Sequence, residues 1–595
     1  MLLHHSHDEA YRFPVGAIPA GGVLRLRFFC DETETIILRT WDGRETRVPM
    51  EQVDLHLFEA SITLPQIPML FWYDFIILTE QEELRYGNRD DMLGGEGTLQ
   101  YGHLHSYQVT VYDPAFQTPD YLHKAVIYQI FPDRFYKGAK DEADRTEKIN
   151  AAHPEAFFHQ NWQEAPLLDI DPANGDNRAL DFFGGTLEGI RQKLDTLRAM
   201  GVTVLYLNPI FRARTNHRYD TGSYEEIDPI VGNEEAFYAL MRSAHERGMR
   251  VLLDGVFSHT GADSLYFNRF GHYDTVGAYQ SQESLYYDWY HFDEFPDRYR
   301  AWWGIYTLPA VNKEHPEYQE YLLDPQKGVL PRWVRRGACG WRLDVADELP
   351  IPMLQRMRTA VKAADPDAVL VGEVWEDASN KVAYGALRSY CLGDTVDSVM
   401  NYPLRRAVID FFTGVLDAYG LCRVILHQRE VYPPPFHYAL MNLLGSHDRV
   451  RILNAMAGYD KDGIIQMPRE EAAGIRLAHR QLALSKKRHL AALTLLSALP
   501  GAPTVYYGDE LGMQGMSDPW NRAPMDWDGG DKSHRAAVSA ILTMRQKNCV
   551  LQTGFLDVSA ADAHTLRIRR YAVDGKDVFG QPLLGADVLT EVSRN

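Results

Sequence analysis

Short apolar runs open the chain, VLRLRFF, TIILRTW, FWYDFIIL and SYQVTVY, and each is bounded by turns rich in Gly, Asp and Glu, without long helical periodicity. That pattern predicts a β-sandwich over residues 1–115. In DPAFQTPDYL, Pro114 and Pro119 disfavour both helix and an interior strand, which predicts a linker. From residue 125 strand-like runs alternate with amphipathic stretches: VIYQIF, TLEGIRQKLDTLRAMG, VTVLYLNP, EEAFYALMRSAHERG, MRVLLDG. Further strands are expected near 340–344, 368–373, 396–400, 441–445 and 503–507, which closes an α/β fold, a (β/α)8 barrel over 116–548. The aromatic stretch from about 259 to 313 is too long for a connecting loop and predicts a small excursion domain after the third strand. Beyond a helix near 534–547, TLRIRRYAV and DVLTEV predict a short C-terminal β-domain over 549–595, read as a truncated or reduced sandwich.

Composition narrows the partners. With 595 residues, 45% of them hydrophobic, the chain can fill two or three cores. A net charge of -20 opposes phosphate backbones and anionic lipid, so nucleic acid and membrane are excluded and a neutral, hydroxyl-rich substrate is favoured. The most apolar stretch, LPQIPMLFWYDFIIL, is interrupted by Pro65, Pro68 and Asp74 and is too short to span a bilayer. Cys30, Cys339, Cys391, Cys422 and Cys549 contain no CxxC pair and read as reduced thiols. MLLHHSHDEAYRF lacks a secretory pattern, so a cytoplasmic location is expected, with His4, His5 and His7 on a solvated end.

Four motifs carry chemistry: DGVFSH at 254–259, GWRLDVADE at 340–348, GEVW at 372–375 and GSHD at 445–448. Each places an acid where an apolar strand emerges, and catalytic groups of a barrel project from the C-terminal ends of several strands. Retaining cleavage of a glycosidic bond needs a carboxylate nucleophile and a carboxylic acid about 5–5.5 Å away. Asp344 suits the first role, because Arg342 lies two positions earlier on the same strand face and can hold it ionised. Glu373, beside Val374 and Trp375, suits the second, since an apolar setting favours the protonated form.

These motifs, together with VYDPAFQTPDYLHKAVIYQIFPDRF, NHRYDTGSYEEIDPIVG, DSVMNYP and GDELGM, resemble the α-amylase superfamily, glycoside hydrolase family 13, and within it the neopullulanase, cyclomaltodextrinase and maltogenic amylase group. The resemblance implies Asp344 as nucleophile, Glu373 as acid/base and Asp448 as a third carboxylate gripping sugar hydroxyls. It implies that Asp254, His259, Arg342 and His447 line the same sugar subsite, with His217 hydrogen-bonding and Tyr219 stacking there. Asp518 and Arg522 are implied one sugar further out. The N-terminal domain resembles starch-binding modules that also serve as dimer elements, which implies a homodimer.

The chain departs from the group's pattern in places. Ser258 stands where Asn usually precedes His259, while Lys137 and Thr186 stand where oxygen ligands of a calcium ion are expected. An ammonium repels a hard cation that wants several oxygens, so the barrel calcium site is expected to be degraded and no cofactor required. Asp347 replaces a usual Asn, and Arg449 a usual Thr. Trp289, Trp302, Trp303, Tyr286 and Tyr287 are expected mainly to fill the excursion domain, with one or two rings free to stack on sugar. The expected activity is hydrolysis of α-1,4 bonds in maltooligosaccharides, cyclodextrins or pullulan. The rivals are transglycosylation, α-1,6 cleavage and a non-catalytic glucan-binding barrel.

Overall fold

The computed structural model describes residues 1–31, 35–138, 143–172, 175, 177–460 and 467–594, with backbone alone for 143–147 and 469–470. Its centre is a parallel barrel of eight strands: β1 Ile127–Ile130, β2 Val204–Leu207, β3 Arg250–Gly255, β4 Gly340–Leu343, β5 Val369–Gly372, β6 Ser398–Val399, β7 Met441–Leu443 and β8 Ala502–Tyr506. β1 pairs with both β2 and β8, and a parallel bridge between Met400 and Met441 joins β6 to β7, which closes the ring. Nearly every strand residue is buried, which explains why these runs lack polar alternation. Helices after the strands start on sequence-readable caps. Thr186, Asn233 and Asn401 accept from the backbone N–H three residues on, fixing the helices Leu187–Ala199, Glu234–Glu246 and Tyr402–Thr413.

The N-terminal unit stacks a five-stranded sheet on a seven-stranded one. Val23–Cys30 alternates between buried and open positions, whereas Met69–Leu78 is buried along most of its length because it is central to the larger sheet. The solvated end expected for the first histidines is overturned. Leu2 and Leu3 pair with Cys30 and Phe29, and His4 is fully buried, with Nε2 2.9 Å from Tyr73 Oη and Nδ1 2.8 Å from the Arg27 carbonyl. His7 is buried too, 2.8 Å from Glu430 of the barrel. His4 and His7 each find a polar partner that makes burial tolerable.

The excursion at 259–313 has little regular structure beyond a two-stranded ribbon, Phe292–Glu294 with Arg298–Tyr299, and packs on its own aromatic core of Tyr266, Phe267, Trp289, Tyr290 and Tyr299. A second excursion, from 136 to 185, was not legible in the sequence; it carries a helix at Ala143–Ala152 and the strand pair Phe157–Phe158 and Asp181–Phe182. The C-terminal segment is a single antiparallel sheet of three strands, Phe555–Asp562, Thr565–Tyr571 and Val588–Ser593, packed against barrel helices and not a sandwich.

Candidate active site

Asp254 ends β3, Asp344 follows β4 and Glu373 follows β5, so three carboxylates converge at one end of the barrel. One fully buried guanidinium gathers them. Arg342 Nη1 donates to Asp254 Oδ1 at 2.7 Å and to Asp344 Oδ1 at 2.9 Å, and Nη2 lies 2.6 Å from Glu373 Oε2 in an ion pair. The two-residue offset from Arg342 to Asp344 does place both on one face, but the arginine's charge is divided among three acids. Val345 turns the chain with φ +35°, a strained value for a β-branched residue, and this points its N–H at Glu373 Oε2, 2.9 Å away. Trp375 Nε1 lies 3.2 Å from Glu373 Oε1.

This geometry decides where charge is tolerated. Burial, reinforced by Glu373, Asp254 and Asp448 and opposed by Arg342, pushes the Asp344 carboxyl well above its usual range. Glu373 accepts from the Val345 N–H on one carboxylate oxygen and from the Trp375 indole on the other, besides its ion pair with the guanidinium.

Across a cleft of about 290 Å³ stand His447, Asp448, Asp518 and Arg522. Although burial opposes it, His447 and Arg522 hold Asp448 below the usual carboxylate range, with His447 Nε2 2.9 Å from Oδ2 and Arg522 Nη2 3.2 Å from Oδ1. Arg522 also pairs with Asp518 at 3.1 Å. Gln129 Nε2 lies 2.9 Å from His447 Nδ1, which assigns the ring proton to Nε2. Tyr219 and His217 complete this wall. The Tyr219 hydroxyl donates to Asp254 at 2.7 Å, and its ring stacks on His447 at 5.2 Å, so one face is already covered. His217 Nδ1 accepts from the Tyr219 N–H at 3.1 Å; burial keeps this ring neutral and leaves Nε2 as its free donor.

His259 lines the cleft, yet both its nitrogens are engaged, with Ser258 Oγ and the Tyr219 carbonyl each at 3.1 Å. Burial pushes its pKa down to about 3. Asp254 and Arg342 lie beneath the cleft and act on its walls from below. The remaining wall is aromatic: Trp302 and Trp303 stack at 4.0 Å, Trp303 lies edge-on to Trp375 at 5.8 Å, and Trp303 and Trp375 are 55% and 40% exposed. Trp289, Tyr286 and Tyr287 pack within the excursion instead.

Several groups that shape the site were missed. Tyr206 donates to Asp254 at 2.6 Å, Asn208 to the Tyr219 hydroxyl at 2.9 Å, and Gln129 fixes His447. Each is a polar residue inside an apolar strand run, and that exception was the available signal. Asp347 is taken up by Tyr390 at 2.5 Å and Lys381 at 3.5 Å, and Arg449 lies over the Tyr402 ring at 4.9 Å.

The three positions expected to degrade a calcium site are engaged elsewhere. Thr186 Oγ1 donates to the Lys137 carbonyl and caps the following helix, Ser258 Oγ meets His259, and the Lys137 ammonium lies 5.9 Å from the Trp162 ring centre. Residues 139–142 of the same loop lie outside the described residues.

A parallel barrel whose strand ends bring three carboxylates around one buried arginine, with a fourth across the cleft, is an architecture suited to carboxylate chemistry at the strand ends. The chain belongs to the α-amylase family: the model for the alpha-amylase catalytic domain matches residues 129–547. An amylopullulanase of Thermoanaerobacter thermohydrosulfuricus is 36% identical over 98% of this chain, which spans 41% of that protein's length. A cyclomaltodextrinase of a Bacillus species is 31% identical, over 91% of this chain and 86% of its own length. Among solved structures, the cyclic α-maltosyl-(1→6)-maltose hydrolase of Arthrobacter globiformis is similar at a TM-score of 0.63 and 32% identity, covering 77% of this chain and 90% of that one.

Proposed function

We propose that the protein is a retaining α-glucan hydrolase that cleaves α-1,4 bonds of maltooligosaccharides, cyclodextrins or pullulan. The observation that carries this reading is the placement of Asp344 and Glu373 on one guanidinium at the floor of a cleft, with Asp448 on the facing wall. Relatives named cyclomaltodextrinase and maltogenic alpha-amylase support an α-glucan as the substrate.

In the first step Asp344 attacks the anomeric carbon while Glu373 gives its proton to the departing glycosidic oxygen, forming a glycosyl ester on Asp344. In the second, Glu373 takes a proton from water, the water oxygen attacks the same carbon, and the ester bond to Asp344 breaks. Sugar hydroxyls that donate to Asp344 favour its carboxylate form, and a glycosidic oxygen that accepts from Glu373 favours the acid form that the first step needs. Asp448, His447 and His217 grip ring hydroxyls, while Trp303 and Trp375 offer faces to the leaving sugar.

Incubation with maltotriose, β-cyclodextrin and pullulan, with products identified and their anomers followed by NMR, tests the reading. Retained configuration is expected; inverted product or no cleavage of any of the three overturns it. Transfer to a second sugar is the alternative, favoured by the exposed Trp303 and Trp375, and differs only in the nucleophile of the second step.

No calcium is required in this reading, and a homodimer through the N-terminal unit follows the family resemblance. No helix of the described residues is long and apolar enough to cross a membrane. Among the described residues Cys339, Cys391, Cys422 and Cys549 form no disulfide, which supports a reducing, cytoplasmic setting.

A further inference from the structure

We propose that the seam between the N-terminal unit, the barrel and the C-terminal sheet holds a second carbohydrate site, remote from the cleft, that takes a neutral oligosaccharide. A cavity of about 530 Å³ opens there, larger than the catalytic cleft and walled by all three units. Val15 and Ala17 come from the N-terminal unit, His437 and Tyr438 from the barrel, and Phe555 and Tyr571 from the C-terminal strands.

His437 supplies the chemistry. It is 6% exposed and lines the cavity, yet neither ring nitrogen has a hydrogen-bond partner among the described residues; its one ring contact is with Tyr438. Burial, reinforced by Arg570 and Arg429, pushes its pKa down to about 3, so the ring is neutral and presents one donor and one acceptor. Arg429 uses its two terminal nitrogens on the carbonyls of Leu556 and His7 and leaves Nε buried without a partner. A buried polar group without a partner is costly unless a ligand or water meets it.

The rest of the lining selects among ligands. Phe555 and Tyr571 sit 5.9 Å apart in the lining, and with Arg569 over the Tyr571 ring at 4.5 Å it is Phe555 that offers the C–H side of a sugar ring a face to stack on. Among the lining residues Asp8 and Glu9 stand beside the cation Arg429, while Asp557 is paired with Arg569 at 3.6 Å, so no surplus of positive charge favours phosphates or other anions. An aromatic face with a few unused hydrogen-bonding groups and no surplus of positive charge fits a neutral polyol. The choice of a glucan as that polyol rests on the reading of the catalytic cleft.

The test is calorimetric titration of maltotetraose into the full chain carrying Glu373→Gln, which leaves the sugar uncut. Two classes of site per chain are expected. Adding His437→Ala should abolish one class, and Ala17→Trp, which fills the cavity while leaving every hydrogen bond in place, should abolish the same one. Asp448→Ala should abolish the other. A single class lost with Asp448→Ala, and unmoved by His437→Ala or Ala17→Trp, overturns the seam site and leaves the cleft reading standing. A single class lost only with the seam substitutions supports the seam site and overturns the cleft reading. No binding overturns both. If His437→Ala does not fold, Ala17→Trp decides alone.

Discussion

Two buried arginines, each fully enclosed, meet carboxylates in opposite proportions. Arg342 serves Asp254, Asp344 and Glu373 at once, whereas Glu430, at the junction with the N-terminal arm, has Arg12 and His7 to itself and accepts from Ser6 as well. The consequences run in opposite directions. Burial and the neighbouring acids drive the Asp344 carboxyl up, while Arg12 and His7 hold Glu430 at about 2 against the upward push of burial. A surplus of acid perturbs the groups of a working site; a balanced cluster rivets one unit to another. Charge stoichiometry, and not residue type, separates the working site from the fastening.

The largest expected effect breaks the first cluster. Asp344→Asn should lower kcat by at least about 10⁴-fold, as loss of a nucleophile does, since the amide cannot form the ester. Removing one of three carboxyls that crowd a single guanidinium should leave the melting temperature unchanged or higher. A variant that melts several degrees lower would show that Asp344 is structural glue like Glu430, and the contrast would fall.

Glu430→Gln is the converse. It leaves Arg12 buried with a neutral partner and should lower stability by about 3–5 kcal/mol, while folded protein keeps near-native turnover. Its pH dependence has a definite sign. The folded pKa lies below the ordinary 4.5, so the stabilisation is fully present above pH 4.5 and is lost as pH falls toward about 2. The gap in melting temperature between wild type and Glu430→Gln should therefore close between those values. Buried, neutral His4, at about 3 against the ordinary 6.5, adds an acid loss that begins higher, but it is common to both proteins and cancels in the difference. A gap that persists at pH 2.5 would show that Glu430 acts by packing.

Arg342→Lys sharpens the first cluster. An ammonium cannot address three carboxylates from fixed planar positions, and misplacement of the reacting groups costs on the order of 10²-fold in rate. Steady-state kinetics giving a near-native rate would show that charge alone suffices there.

The barrel was legible because its strands are largely apolar runs, some of which lead into an acid, as in VLLD and GWRLD, and because caps such as Asn233 mark the helix starts. The acids proposed as catalytic were legible for the same reason. The rivet was not: Arg12 and Glu430 are 418 residues apart, and neither neighbourhood announces a partner. Nor was the end of the chain, because His4 and His7 are polar letters that fold inward only when a distant tyrosine and a distant glutamate receive them. Tyr206 and Gln129 fall between these cases, visible as polar exceptions but unreadable in role until the strands stand side by side.

The smallest expected effect concerns a cation that would alter the cleft's charge balance if one were held nearby. A hard divalent ion takes about six to eight oxygens at short range, and its binding raises the melting temperature only as far as it favours the native state. Here Thr186 Oγ1 is committed to the Lys137 carbonyl at 2.7 Å, Ser258 Oγ to His259 at 3.1 Å, and the Lys137 ammonium adds positive charge to the same loop. Melting temperature and activity should therefore change by no more than a degree or a few per cent in EDTA, on the order of experimental scatter. A thermal melt with and without chelator, followed by added calcium, decides the matter. A fall of several degrees that calcium restores would mean that the surplus acid of the cleft is partly neutralised by a bound ion, and that the contrast with the Glu430 cluster is smaller than its protein charges imply.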